Sequence, residues 1–144
     1  MKIVELSIAD IDKIIELYRA DFPDGWTADM LKSAFNGGRF FALGVVDNGV
    51  LTGVITVTNG YDDADIEGVV TASAYRNKGV AKLLLTATQE KLKAEGKERV
   101  LLEVRENNIP AVSLYQGAGF KKISVRKKYY QDGENALVME KVLL

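Results

Sequence analysis

Histidine and cysteine are both missing from this chain, and the two absences remove much of the usual chemistry of enzymes. Without cysteine there is no disulfide, no thiolate nucleophile and no cysteine-ligated zinc. Without histidine the most frequent general base near neutral pH and the commonest metal ligand are gone, so no metal is expected and acid–base work falls to Asp, Glu, Tyr or Lys. A dominant charge is lacking too. Nineteen Lys and Arg against 20 Asp and Glu leave a net charge of −1, which gives no general attraction to nucleic acid or to an anionic membrane. No apolar run approaches the length of a membrane span. The opening Met1–Leu6 has neither the basic start nor the long apolar core of a secretory signal. A cytoplasmic protein, monomer or homodimer, is expected.

What remains is a chain of 144 residues with 47% hydrophobic side chains, enough for one core and too little for two, so a single domain over 1–144 is expected. Ser7 followed by Asp10 has the form of a capping box, and Ile8, Ile11, Ile15 and Tyr18 recur at helical spacing. Thr27 suits the cap of a second helix with Met30, Leu31 and Phe35 inward, after a loop Phe22-Pro23-Asp24-Gly25-Trp26. Arg39 to Val46 and Val50 to Thr58, with Asp47-Asn48-Gly49 between them, predict a hairpin. Asp65–Thr71 reads as a third strand. Gly79 to Glu95 carries Leu84, Leu85, Thr88 and Leu92 on one helical face and is closed by Gly96. Val100–Val104 is another strand, Pro110 opens a short helix, and Phe120–Tyr129 and Asn135–Lys141 form a terminal pair around Asp132-Gly133. The order is α/β, with a helix crossing over between two central strands.

Arg76-Asn77-Lys78-Gly79-Val80-Ala81 joins a strand end to a helix start. At such a junction the unpaired N–H groups and the positive end of the helix dipole converge, which suits a diphosphate. Gly79 lets backbone approach an anion, and Arg76 and Lys78 add charge at the edge. On spacing alone an ordinary helix cap is the commoner explanation. The loop has neither the G-x-G-x-x-G of dinucleotide folds nor the G-K-[ST] of P-loops.

Taken in order and spacing, Tyr75-Arg76-Asn77-Lys78-Gly79-Val80-Ala81, then Leu102-Glu103-Val104-Arg105 with Asn107-Asn108, then Ser113-Leu114-Tyr115 and Gly119-Phe120 resemble the GNAT superfamily of acetyltransferases. Arg126-Lys127-Lys128-Tyr129-Tyr130 with Asp132-Gly133, Ala136 and Met139 is similar to its RimI-like branch, which acetylates the N-terminal alanine of a small-subunit ribosomal protein. The resemblance implies a mixed sheet of about six or seven strands flanked by about four helices, with two central strands splayed to admit acetyl-CoA. It implies that Val69, Val70 and Thr71 pair with the pantetheine arm, that Arg76, Asn77, Lys78, Gly79, Val80, Ala81 and Lys82 hold the diphosphate, and that Asn108 contacts the cofactor. It gives Glu103 as proton acceptor and Tyr115 as proton donor. Three places depart from the branch: Gly68 stands where an Asn beside the acceptor is usual, Ala72-Ser73-Ala74 lacks a proline, and Asp24-Gly25 separates Pro23 from Trp26.

Read from the residues alone, Glu103 near the end of a central strand could take a proton directly or through a water, or could be a solvent-facing Glu paired with Arg105 or Arg99. Tyr115 shares a helical face with Val112 and could be a general acid or a half-buried core tyrosine. Trp26, Tyr129 and Tyr130 could line an acceptor groove between the loop joining the first two helices and the turn joining the last two strands, or could be exposed aromatics packing on the terminal hairpin; the resemblance adds Gly68 beside the acceptor. The acceptor implied is a protein N-terminus, such as that of a ribosomal protein. A GNAT acting on a small amine, or a CoA-binding domain without catalysis, are the competing readings.

Overall fold

A computed structural model describes residues 1–23 and 25–144; Asp24, in the loop expected between the first two helices, lies outside the described residues. The first strand was not anticipated: β1 (Lys2–Leu6) pairs antiparallel with β2 (Phe40–Asp47), Lys2 opposite Val46. The capping box at Ser7 and Asp10 is present, with Ser7 N–H donating to Asp10 at 2.8 Å, but it opens a single 3-10 turn ahead of α1 (Ile11–Asp21). That offset turns Ile11, Ile14 and Tyr18 inward and leaves Ile8 exposed. In α2 (Ala28–Asn36), capped by the Thr27 hydroxyl as expected, Leu31 is buried and Phe35 half-buried, whereas Met30 points to solvent.

The hairpin of β2 and β3 (Val50–Asn59) turns through Asn48 and Gly49, both at positive φ, a geometry that an Asn-Gly pair supplies with little strain. Then follow β4 (Asp63–Thr71), α3 (Val80–Ala94), β5 (Arg99–Arg105), α4 (Ile109–Gly117), β6 (Lys121–Arg126) and β7 (Ala136–Val142). β6 is shorter than the expected Phe120–Tyr129, because Lys128 at φ 51° breaks extension before Tyr129, and β7 lies one residue beyond the expected Asn135–Lys141. All seven strands form one sheet in the order β1-β2-β3-β4-β5-β7-β6. Every neighbouring pair is antiparallel except β4 and β5, which the α3 crossover makes parallel.

Two apolar clusters cover the two faces. On one, Leu84, Leu85 and Leu92 of α3 pack with Ile55, Ile66, Val100 and Leu102, and α4 adds Val112 and Tyr115 at the margin. On the other, Ile14, Tyr18 and Leu31 of α1 and α2 pack with Ala42, Val54 and Val70. Ile66 and Val70 of one strand thus face opposite layers, although their even spacing would put them together. The cause is a β-bulge: Ile66 pairs with Val57 and Gly68 with Thr56, leaving Glu67 as the extra residue. Among the described residues no helix is long and apolar enough to cross a membrane.

Gly68 follows the bulge because of space, not backbone freedom. A Cβ there would lie 2.8 Å from the hydroxyl oxygen and 2.9 Å from Cε1 of Tyr18, whose phenol shares a 3.0 Å hydrogen bond with Thr56. Gly68→Ala is therefore expected to lower unfolding stability in urea by about 1–3 kcal/mol. Gly117→Ala, with nothing within 4 Å of the added carbon, should cost no stability; equal behaviour of the two variants would show that Tyr18 yields freely.

Candidate active site

The parallel ladder between β4 and β5 consists of Asp63 opposite Arg99, Ala64 opposite Val100 and Asp65 opposite Leu101, and stops there. Both strands continue, β4 to Thr71 and β5 to Arg105, without pairing to each other. The strand segment containing Val69, Val70 and Thr71 is bonded to β3 on one side and has no strand on the other. An opening in the middle of a sheet offers backbone N–H and C=O groups to whatever enters it.

The loop Arg76-Asn77-Lys78-Gly79 sits at the end of β4, where that opening widens. Asn77 at φ 62° and Gly79 at φ 83° are both left-handed, so the backbone curls before α3 begins at Val80. The first amide bonded along this helix is that of Leu83, to the Gly79 carbonyl at 3.0 Å. Val80, Ala81 and Lys82 precede it and have no carbonyl one turn back within the helix. No side chain caps them and the first turn carries no acid, which fits a diphosphate. Lys78 stands over the Tyr75 ring, 5.5 Å from its centroid. Arg76, expected beside the anion, is instead clamped by Asp21 at the end of α1, at 2.8 and 3.0 Å. Asn108 caps α4, its Oδ1 accepting from Ala111 N–H at 3.2 Å.

Beyond the loop the splayed strands frame a cleft of about 520 Å³ lined by Asp65, Glu67, Glu103, Arg126, Tyr129 and Tyr130 among others. Val100, Leu102 and Val104 are buried against the α3 face, so strand alternation turns Glu103 to the cleft. Its partner is neither Arg105 nor Arg99. Arg126 reaches across β7 and brings its Nε to 3.3 Å from Glu103 Oε1, while stacking over Tyr129. Arg105 is held by Asp132 at 2.8 Å and lies over Tyr130, and Arg99 bridges Asp63 and Glu140.

Tyr115 belongs to α4, on the opposite layer, with its ring against Phe120 at a centroid distance of 6.0 Å. Burial pushes its phenol up to about 12, with a further contribution from Tyr130 across the opening. Tyr18 is also raised by burial, and Tyr115 contributes to that shift. Asp65 and Glu67 are raised by desolvation first and then by neighbouring carboxylates, Glu103 included. Trp26 is not part of this cleft. It packs edge-on against Phe40, centroids 5.5 Å apart, and borders a separate hollow beside Ile15, Arg19 and Phe22 of α1 and its following loop.

Residues 11–120 match the model of the acetyltransferase (GNAT) family. The chain belongs to that family. This GNAT chain is 32% identical, over 93% of its length and 88% of the relative's, to an N-alpha-acetyltransferase of Saccharolobus solfataricus. It is 30% identical to the [ribosomal protein bS18]-alanine N-acetyltransferase of Haemophilus influenzae, with 95% of each chain covered. The crystal structure of the ribosomal-protein-S18-alanine N-acetyltransferase from Escherichia coli superposes with a TM-score of 0.91, at 24% identity over 99% of this chain and 93% of that one, a likeness of fold. The chain is thus an N-acetyltransferase with the α/β GNAT architecture that the resemblance implied.

Asp65 and Glu67 of the cleft have no site role in the sequence reading, and Arg126 enters it only within the stretch that carries the resemblance. The alternation Asp65-Ile66-Glu67 pointed to two acids on one strand face, but only the end of the ladder and the bulge show that this face opens onto a cleft.

The raised phenol of Tyr115 has a consequence for stability. In the unfolded chain it ionises near its ordinary value of 10.0, and in the folded chain near 12. The folded form therefore retains a proton that the unfolded form has lost, and stability declines as pH rises through that interval. Urea unfolding from pH 9 upward should show this decline in the wild type and a shallower one in Tyr115→Phe; parallel curves would contradict the placement of the phenol.

Proposed function

We propose that this chain, acting as one domain over 1–144, moves the acetyl group of acetyl-CoA to the N-terminal α-amino group of a protein, an alanine-first terminus such as that of a ribosomal protein, in the cytoplasm. The observation that carries the reading is the opening between β4 and β5, with an uncapped helix start following it, Glu103 of β5 lining the cleft on one face of the sheet and Tyr115 of α4 in the layer on the other. The names of the Haemophilus and Saccharolobus relatives support the acceptor class.

When bound, acetyl-CoA supplies an acetyl thioester open to attack by a neutral amine. The amides of the Asn77–Lys82 stretch would hold its diphosphate, with Lys78 beside them, and the free edge at Val69, Val70 and Thr71 would hold its pantetheine arm by backbone hydrogen bonds. Arg76 would join them on release from Asp21, and Asn108 retains its side-chain NH2 for the cofactor after capping α4.

An α-amino group has a pKa of roughly 8, so only modest assistance is needed to neutralise it near pH 7. The Glu103 carboxylate, steered by Arg126, takes that proton directly or through one water. Tyr115 keeps its own proton throughout the neutral range and offers an O–H to the departing sulfur. The same upward shift makes the phenol a weaker acid than an ordinary thiol of roughly 8.5, so hydrogen bonding to the developing thiolate is its main contribution. Tyr129, Tyr130 and the backbone at Gly68 form the acceptor side of the cleft. Trp26 would meet only the more distal part of a peptide that reaches α1.

Glu103→Gln and Tyr115→Phe should each reduce turnover by on the order of a hundredfold while leaving acetyl-CoA binding by calorimetry nearly intact. The assay is mass-spectrometric detection of acetylated N-termini in a peptide library, run beside polyamines, amino acids and an aminoglycoside. Wild-type activity in both variants would refute the assigned roles, faster turnover of a small amine would move the acceptor to that class, and tight cofactor binding with no turnover at all would favour a non-catalytic CoA-binding domain.

A further inference from the structure

The bulge in β4 places two successive residues, Glu67 and Gly68, on the side facing α1 and the cleft. Gly68 contributes no side chain, because the Tyr18 phenol fills the space where one would stand. Glu67 is therefore the side chain that the bulge sends into the cleft, which it lines from β4 together with Glu103 from β5. The acids of the cleft are not equivalent. Glu103 is paired with Arg126. Asp65 has Arg99 in its vicinity, although Arg99 is committed to Asp63 and Glu140. Glu67 has no cationic partner within 4.0 Å among the described residues, and its neighbours are the Thr58 hydroxyl, the Tyr18 phenol and the carboxylates of Asp65 and Glu103.

From this arrangement we infer that Glu67 is an acceptor-site residue: it holds the incoming ammonium group at the bulge, beside the carboxylate of Glu103 that removes its proton. The inference rests on the acetyl-transfer reading of this cleft. An amine that arrives as a cation must lose its own hydration, and a lone carboxylate at the entrance offsets that loss while keeping the nitrogen among acids. Desolvation already disfavours the Glu67 charge, so a cation relieves strain there that it would not relieve at Glu103, where Arg126 supplies a positive charge. One N–H proton then passes from the ammonium to Glu103, and the nitrogen lone pair it leaves attacks the thioester carbonyl carbon; as the C–N bond forms the C–S bond breaks, and the departing sulfur takes up the second proton that the nitrogen sheds.

Glu67→Gln keeps the shape and removes the charge. With an alanine-first peptide, the acceptor KM is expected to rise roughly tenfold or more, with kcat changed much less and acetyl-CoA affinity by calorimetry unchanged. Inhibition by the N-acetylated product peptide, which has no ammonium, should be the same in variant and wild type. Thermal stability should not fall, and Glu90→Gln on the outer face of α3 should match the wild type throughout. An unchanged acceptor KM in Glu67→Gln, or an equal loss of affinity for substrate and neutral product, would overturn the inference while leaving the acetylation reading in place. A wild-type protein that acetylates no peptide would remove both.

Discussion

Pairing between β4 and β5 ends at Asp65 and Leu101, and the organisation of the site follows from that interruption. A central position is where a sheet can least tolerate free backbone groups, since each buried and unsatisfied N–H or C=O costs about 1–3 kcal/mol. The opening persists because its flanking strands are secured elsewhere. β4 remains bonded to β3 as far as Thr71, and β5 to β7 from Arg99 to Arg105. Each rim is thus an edge of a stable half-sheet. Two half-sheets joined by a short ladder form a clamp whose free edges can pair with an extended ligand.

The devices that hold this clamp open are small and local. The bulge at Glu67 twists β4 just beyond the last pair with β5, which is how bulges commonly end pairing next to a site. It also switches the strand from the α3 layer to the α1 layer, so that Val70 anchors the far part of β4 under Tyr18 and Leu31. The Gly68 and Tyr18 pair then locks the switch, because any larger residue at 68 would displace the phenol from Thr56. The contact of Arg76 Nη2 with both oxygens of Asp21 ties the loop before α3 to the end of the same helix. Exposed on both sides, that contact adds little stability by itself, of order 0.2–1 kcal/mol.

Legibility in the sequence followed the range of the interactions. Features set by neighbours in the chain were readable: Asn48-Gly49 as a turn, Gly96 at φ 80° as the stop of α3, and Pro110 at the first turn of α4. β1 escaped notice because Lys2–Leu6 is short and its reason to be a strand is Val46 and its neighbours, some forty residues away. Met30 was taken as buried because helical spacing cannot say how wide the covered stripe is; α2 touches the core chiefly through Leu31. At the candidate site, family spacing singles out Glu103 and Tyr115, whereas the pairing of Arg126 with Glu103 requires knowing that β7 lies between β5 and β6. Aromatic character groups Trp26 with Tyr129 and Tyr130, yet Phe40, itself packed against Phe35, offers it a nearer place to bury its ring.

The missing histidine acquires a structural counterpart in this cleft. A histidine base would titrate near neutrality on its own, whereas carboxylates and phenols must be moved toward that range by their surroundings. Here burial raises Asp65 and Glu67 in the direction of neutrality, moves Tyr130 and Tyr115 away from it so that both phenols keep their protons, and Arg126 places a positive charge beside Glu103. Acids and phenols alone therefore yield three different sites: a lone carboxylate suited to a cation, a paired one placed beside it, and a phenol that stays neutral. That division depends on strand positions rather than on residue types, because exchanging the bulge at Glu67 for regular pairing would turn its neighbours to the opposite faces of β4. The chemistry of the site is consequently set by the same departure from regular pairing that opens the sheet.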